Sequence, residues 1–473
     1  MRTRAARRVR HITVRVACAQ LAARPVAQAR AALGDVLAAI RRAKRHDADL
    51  VVLPECSYPG YVLLDTNPYR HNIPSDAEAL AAVAKEARRS SIDVCIGIAR
   101  RAHGGVLRNE AVYIDARGNE LCSYAKCRLW NFDYRWFRRG RALPVFQSRF
   151  GTIGMMICAD GRNPEIARTL VASGASMILD PTAWVGSGPT HEAIHNPQAD
   201  YALRARAIEN GVWIAAADKC GSELGAVHYA GRSQVVGPSG VIVAIADSTS
   251  PQLVIGSVRM SRAKPFVAAL SPADRRTLRS RPRLTFDTSR VPPRLWIGIY
   301  QSARNRRDDP LALRAITVQG AQALISTGAS LAAVKRELAR ARGLRCAIIC
   351  GTDMVAPEPA RAAALRSADL IVWLQPPRRL PVLDIARTRA LENRVYVAVC
   401  TRADDAVAAC LIGPDGAVTG SALTGTASGF VSVLDTILAR RKELMPGTQT
   451  FADRMPSIYR WLDRNLSSAR HSS

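Results

Sequence analysis

Residues 152–165 constrain this chain more than any other stretch; they read TIGMMICADGRNPE. Thr152–Ile157 is an apolar run of buried-strand length that stops at Cys158. Ala159-Asp160-Gly161-Arg162 is a polar turn. Asn163 then has the chemistry of a helix N-cap, Pro164 suits the first helical position, and Glu165 suits the electropositive first turn. The stretch reads strand, cysteine, tight turn, helix. A thiol so placed stands at the carboxyl end of a strand, beside backbone N–H groups able to hold an oxyanion. Taken alone, Cys158 reads at least as well as a buried core residue. Partners elsewhere in the chain decide.

A chain of 473 residues exceeds one compact core, so two domains are expected, and 48% apolar residues suffice to fill them. No apolar run reaches the length of a membrane-spanning helix. The opening MRTRAARRVRHITVRVACAQ is Arg-rich. It lacks the apolar block and small-residue cleavage site of a secretory signal. A transit peptide fits its composition, but from His11 the same residues read as a first strand. A soluble, cytoplasmic protein with no membrane partner is expected.

The 11 cysteines include no CxxC pair and sit mostly in apolar runs. That is the usage of reduced, buried thiols, neither a disulfide framework nor a zinc site. The net charge of +28 would suit nucleic acid electrostatically. However, Arg41-Arg42, Arg138-Arg139 and Arg275 to Arg283 lack interleaved aromatics, and a solvated basic surface is the simpler reading.

Strands and helices alternate through the first 100 residues. Ile12–Ala19 reads as a strand, Val26–His46 as an amphipathic helix, and Asp49–Pro54 as a buried strand closed by Glu55. Ser75 to Glu78 is a capping box opening a helix to about Arg89. Ile92–Ala99 is a strand, and Leu107–Asp115 and Glu120–Tyr124 flank a hairpin turn. After Cys158 come a strand at Met177–Leu179, a helix over Gln198–Asn210, and strands at Val212–Ala217, Gly231–Val236 and Val241–Ala246. This mixture predicts a layered α/β domain. Five regions follow: a basic extension (1–11), the α/β domain (12–272), a basic Pro-containing linker (273–293), a second smaller α/β domain (294–440) and a tail (441–473).

The second domain echoes the first. ARAIENGVWIAAADK (205–219) is repeated as TRALENRVYVAVCTR (388–402), a shift of 183 residues from Glu209 to Glu392. VVGPSGVIVA (235–244) returns as LIGPDGAVTG (411–420), and GMMICADGRNPEIAR (154–168) as CAIICGTDMVAPEPAR (346–361). A truncated, degenerate internal repeat is expected.

Three signatures in order, LVVLPECSYPGY around Glu55, SYAKCRLW around Lys126 and ICADGRNPE around Cys158, resemble the nitrilase superfamily of carbon–nitrogen hydrolases. PTAW (181–184) and ARAIEN…YAGRSQVVGPSG complete the order over about residues 12–270. The resemblance implies an αββα sandwich and a Glu-Lys-Cys centre formed by Glu55, Lys126 and Cys158. The chemistry agrees: a lysine ammonium favours a thiolate and an oxyanion, and a half-buried glutamate can move protons. The family's assisting glutamate is replaced by Asp133, one methylene shorter, which is expected to reach Lys126. The backbone N–H of Ala159 would meet the oxyanion, and Arg162 would bind a substrate carboxylate. Tyr61 and Trp184, inside the matched motifs, are assigned to substrate binding.

The expected function is thiol-dependent hydrolysis of a small-molecule amide, without cofactor or metal, releasing ammonia or an amine. An N-carbamoyl amide or a nitrile is the near alternative. Two others belong to different classes. His191-Glu192-Ala193-Ile194-His195 fits the HExxH pattern of zinc proteases, although prolines at 189 and 197 confine any helix to about two turns. A basic nucleic-acid-binding protein with a relict enzyme fold is the last. The repeat is expected to act as an internal partner, giving a pseudo-dimer, with a homo-oligomer as the alternative.

Overall fold

The computed structural model describes residues 12–65, 67–70, 72–186, 188, 190, 193–280, 294–303 and 308–459. The chain divides into two compact units. The first comprises Met1–Gly161, Ile166–Ala199 and Asn210–Lys264, and the second Arg162–Glu165, Asp200–Glu209 and Pro265–Ser473. Among the described residues no helix is long and apolar enough to cross a membrane.

The family-like stretch begins with β1 (Thr13–Ala22), α1 (Ala29–Arg45), β2 (Leu50–Val52), α2 (Asp76–Ser90), β3 (Asp93–Arg101), β4 (Leu107–Ile114) and β5 (Glu120–Ala125). A one-turn α3 (Asp133–Trp136) precedes β6 (Val145–Ser148), β7 (Gly151–Met155), α4 (Pro164–Ala172), β8 (Met177–Pro181) and α5 (Leu203–Asn210). It closes with β9 (Trp213–Ala217), β10 (Lys219–Glu223), β11 (Val227–Ala230), β12 (Gln234–Val236), β13 (Ile242–Ile245) and β14 (Gln252–Arg259). Ser75 caps α2 as its sequence dictates: its side chain accepts the Glu78 N–H, and the Glu78 carboxylate accepts the Ser75 N–H. Four strands absent from the sequence reading, β6, β10, β11 and β14, lack clean alternation. β14 is defined by its partner, pairing antiparallel with β1 from Thr13 to Gln20.

One sheet of the first unit runs β11-β10-β1-β2-β3-β4-β5, with β14 also on β1; the other runs β13-β12-β9-β8-β7-β6. The sheets face each other, β1 against β9 and β12, and β2 and β3 against β8. Helices α1 and α2 cover the first sheet. Val36 and Ile40 of α1 and Val83 of α2 bury against Val51, Val94 and Ile96, each worth about 1.5–3 kcal/mol when fully buried. On the second sheet, Gly154 of β7 meets Leu170 of α4. This is a mixed α/β, nitrilase-like fold. Its parallel strands β2, β7 and β8 send their loops to one edge, the usual place for a site in such sheets.

The second unit carries a three-stranded sheet, in which Arg294–Gln301 lies between Ala323–Ser326 and Ser428–Asp435. Its pairing is parallel to the former and antiparallel to the latter, as β1 pairs with β2 and β14. A five-stranded sheet runs Cys346–Cys350, Leu370–Leu374, Tyr396–Cys400, Cys410–Ile412, Val418–Ser421. The order and sense match β7-β8-β9-β12-β13. Each sheet shifts register just before its Gly-Pro-x-Gly turn, between Val235 and Val236 and between Leu411 and Ile412. Among the described residues nothing corresponds to β3, β4 and β5.

Two boundaries differ from expectation. The linker expected from residue 273 starts as a helix, Pro272–Arg279, because Ser271 and Asp274 form a capping box around Pro272. Residues 281–293 of that linker lie outside the described residues. The expected tail holds a short hairpin, Glu443–Met445 with Thr448–Gln449.

Four charges are buried inside the second unit. Arg206 and Glu209 lie three residues apart, as do Arg389 and Glu392 on the helix Val382–Asn393. Each arginine pairs with its own glutamate and with the other segment's, Arg206 with Glu392 and Arg389 with Glu209. No side chain of the four is more than 1% exposed. The two pairs are related by the same 183-residue shift seen in the sequence.

Candidate active site

Glu55 follows β2, and its N–H donates to Thr182 O beyond β8 at 3.0 Å. Gly97 of β3 allows this placement, since a Cβ there would sit 2.5 Å from Glu55 Cα and 2.4 Å from Pro54 O. Lys126 follows β5. Its N–H donates to Asn109 O at 2.9 Å, and its carbonyl accepts from Gly140 at 2.8 Å. A Cβ at Gly140 would collide with Ala125 O at 2.1 Å, so the chain can pass this close only as glycine. Cys158 follows β7 and opens a 3-10 turn to Arg162.

The side chains converge. Lys126 Nζ donates to Glu55 Oε1 at 2.6 Å and to Asp133 Oδ2 at 2.7 Å, with all three side chains fully buried. Asp133 reaches the ammonium despite its shorter side chain because the single turn α3 carries it inward. Its Oδ2 also accepts the Trp130 N–H at 2.9 Å. Asn109 Nδ2 donates to Glu55 Oε1 at 2.6 Å, whereas Glu55 Oε2 accepts nothing from the described protein. The sequence reading missed Asn109; only its place on β4 beside Lys126 marks it.

Electrostatics refine the expected roles. Burial works against the Lys126 ammonium, but Asp133 and Glu55 outweigh it and hold the lysine protonated, well above its ordinary value. Burial raises Glu55, Lys126 opposes, and the Asp133 charge adds to the rise. For Cys158 the sequence predicted a thiolate favoured by Lys126. Lys126 does pull that way, yet burial and the Glu55 charge push the thiol well above its ordinary value. Both influences favour the protonated sulfur.

Residues inside and outside the motifs hold the Cys158 turn, Asp180 and Gln198 being the ones outside. Cys158 N–H donates to Asp180 Oδ1 at 2.9 Å, and Cys158 O accepts from Gln198 Nε2 at 2.6 Å. Asp160 accepts from Ile157 N at 3.0 Å, Arg128 N at 2.7 Å and the Tyr124 hydroxyl at 2.7 Å. Cys158 itself has φ of +47°, in the left-handed region that a residue with a Cβ adopts only under constraint.

Of the expected substrate-binding residues, Ala159 is buried next to the cysteine. Tyr61 is buried with its ring 5.9 Å from Lys126 Nζ and 5.8 Å from Lys219 Nζ. The N–H groups of Tyr61 and Val62 donate to Glu223, which also pairs with Lys219 at 2.7 Å. Trp184 is buried, with its N–H donating to Asp218 Oδ1 at 2.8 Å. Arg162 is grouped differently: it belongs to the second unit, where its charge acts on Tyr201.

The HExxH pattern is not brought together as a helix. His191 and Glu192 lie outside the described residues, and residues 193–196 are not helical, Asn196 preceding Pro197. Among the described residues no three His, Cys, Asp or Glu side chains cluster as a metal site would require.

The fold and motif order place this chain in the carbon–nitrogen hydrolase family, to which it belongs: residues 15–266 match that family. It is thus a member of the nitrilase superfamily. Among its relatives is the hydrolase in the pqqF 5' region of Pseudomonas protegens, 34% identical over 218 residues, covering 45% of this chain and 72% of that protein. The deaminated glutathione amidase of Escherichia coli O157:H7 is 29% identical, with 48% of this chain and 85% of that protein covered. A solved amidase from Nesterenkonia sp. is 28% identical over 52% of this chain and 90% of its own, with a TM-score of 0.46.

Proposed function

We propose that this chain is an amidase-type hydrolase of non-peptide carbon–nitrogen bonds, working through a thioester on Cys158. One observation carries the reading: buried Glu55 shares the Lys126 ammonium with Asp133 through Oε1 and leaves Oε2 without a hydrogen bond from the described protein. In this reading Oε2 takes the thiol proton as the sulfur attacks the carbonyl carbon. The carbonyl electron pair moves to oxygen, where the Lys126 ammonium and the Ala159 N–H stabilise it. As the tetrahedral species collapses, the C–N bond breaks and Glu55 gives its proton to the leaving nitrogen. Glu55 then takes a proton from water, which attacks the thioester. The carboxylic acid leaves, and the proton returns to sulfur.

Asp133 orients the ammonium, and the Tyr61 ring beside it forms an aromatic wall for the acyl group. A linear amide is the favoured substrate class, in keeping with the amidase among the relatives; N-carbamoyl amides and nitriles come next. The test is ammonia release from a panel of amides, N-carbamoyl compounds and nitriles, with Cys158→Ala as the blank. Amide hydrolysis lost in Cys158→Ala is expected. Silence across the panel would reject the reading. Chelator-sensitive activity surviving in Cys158→Ser would favour a metal site at His191 and His195 instead.

For residues 294–440 we infer a shortened, catalytically silent copy of the family domain that serves as an internal partner. The matched strand order, the shared register shift and the repeated Arg-x-x-Glu pairs support it. From Tyr300 to Cys350 the chain advances 50 positions, against 139 from Ala19 to Cys158. That gap has no room for β3, β4 and β5, so Cys350 lacks a lysine to match Lys126. Light scattering tests the partner role. The full chain is expected to be monomeric, and a chain ending near residue 285 to dimerise, aggregate or lose activity. An active, well-behaved monomer after truncation would reject it.

A further inference from the structure

The strained turn at Cys158 has two ends. The upstream end and the cysteine itself are fixed by Asp180, Asp160 and Gln198. Gly161, the last residue of the first unit here, presses so close to Gln198 that a Cβ would lie 2.8 Å from its Nε2. The next four residues, Arg162–Glu165, are part of the second unit. Cys158 therefore stands four residues ahead of the point where the chain enters that unit.

Those four residues are gripped. Asn163 Nδ2 donates to the Tyr459 hydroxyl at 2.9 Å, and Asn163 Oδ1 accepts the Glu165 N–H at 3.2 Å, capping α4. Arg454 Nε donates to Glu165 Oε1 at 2.8 Å, and Arg361 pairs with the same oxygen at 3.3 Å. Arg454 is in turn fixed by Leu278 O at 2.7 Å and Ser280 O at 2.9 Å, while the Tyr459 hydroxyl accepts from Met455 N at 3.1 Å. Arg454, Arg361, Glu165, Asn163 and Tyr459 are all buried. Buried ion pairs of this kind contribute little net stability relative to apolar packing, but they fix geometry.

We propose that Arg454, Arg361 and Tyr459 are positioning residues for Cys158: by holding Asn163 and Glu165 they pin the downstream end of the turn and keep the cysteine in its left-handed conformation. This rests on the reading of Cys158 as the nucleophile. The second half of the chain thereby acquires a part in catalysis without touching substrate. A strained backbone persists only when its surroundings over-determine it. Released at one end, the turn relaxes, and the sulfur drifts from Glu55 and Lys126.

The experiment compares the intact chain with Arg454→Gln, Arg454→Lys, Tyr459→Phe and Cys158→Ala. It reads the rate at which iodoacetamide alkylates Cys158, by peptide mass spectrometry, alongside kcat, KM and melting temperature. Arg454→Gln is expected to slow Cys158 alkylation and kcat by roughly tenfold to a hundredfold, the scale of a displacement of about 1 Å. KM and alkylation of the exposed Cys350 should hold. Arg454→Lys should recover part of the loss. Tyr459→Phe, which removes one hydroxyl and keeps the ring, should move in the same direction by a few-fold and decides the matter if Arg454→Gln does not fold. Wild-type alkylation rates in Tyr459→Phe and Arg454→Gln would overturn the proposal, as would losses that track melting temperature and expose every cysteine equally. Hydrolysis persisting in Cys158→Ala would instead overturn the nucleophile reading, a separate result.

Discussion

Lys126 donates to Glu55 across 2.6 Å, with both side chains closed to solvent. A second carboxylate, Asp133, accepts another of its N–H groups at 2.7 Å. One ammonium thus serves two buried carboxylates.

Removing the cation should be the harshest change. Lys126→Met leaves Glu55 and Asp133 facing each other without a counter-charge, a loss of about 3–5 kcal/mol for a broken buried pair. Activity should vanish and chemical denaturation should shift accordingly. Asp133→Asn keeps one pair, so the fold should survive with kcat reduced by roughly tenfold to a hundredfold. An Asp133→Asn variant with unchanged kcat would remove Asp133 from the proposed mechanism.

Alkylation should separate two cysteines. Cys350 ends a strand as Cys158 follows one, but it is exposed. Iodoacetamide should label both, and activity should fall only with labelling of Cys158. Cys350→Ser should therefore remain fully active. Loss of activity in step with Cys350 labelling would assign the chemistry to the wrong half.

Stability should fall with rising pH through a window set by buried acids. Burial raises Asp218 from its ordinary 3.8 to about 7, and Asp160 to about 6. The folded protein keeps these protons where the unfolded chain has lost them. Their contribution is fully present below about pH 4 and is lost as pH rises through 6 and 7. For Asp218 the effect is on the order of a few kcal/mol. Melting temperatures at pH 5 and pH 8 should differ less in Asp218→Asn than in the native chain, and an unchanged gap would refute this.

Cutting one member of the four-charge group should cost more than cutting two. Arg389→Met leaves Glu209 and Glu392 sharing the single guanidinium of Arg206 in a dry setting, and urea unfolding should register about 3–5 kcal/mol. Adding Glu392→Leu removes the excess charge and should restore part of that loss. Additive losses would mean that the pairs act independently.

The family and the positions of Glu55, Lys126 and Cys158 were legible because each residue follows a locally readable strand, and the motif order is written along the chain. Helices α1 and α2 were legible for the same reason, their apolar spacing and capping box being local. Asn109, Asp180, Gln198 and Glu223 were not. Each acts through a contact with a residue distant in sequence, and each reads locally as an ordinary polar residue. β14 escaped because only its pairing with β1 makes it a strand. The thiol's charge state escaped too, since burial, which outweighs Lys126, has no signature in spacing. The grouping of Arg162 with the second unit was not legible either, since it depends on residues beyond 265.

The crossed pairing of Arg206 with Glu392 and Arg389 with Glu209 ties two segments that stand 183 residues apart in the sequence. A substitution at one of these four positions meets an unchanged partner in the other segment and leaves a buried charge with one counter-charge fewer. Only a reciprocal change in the distant segment restores the balance, so these four positions are coupled however far apart they are written.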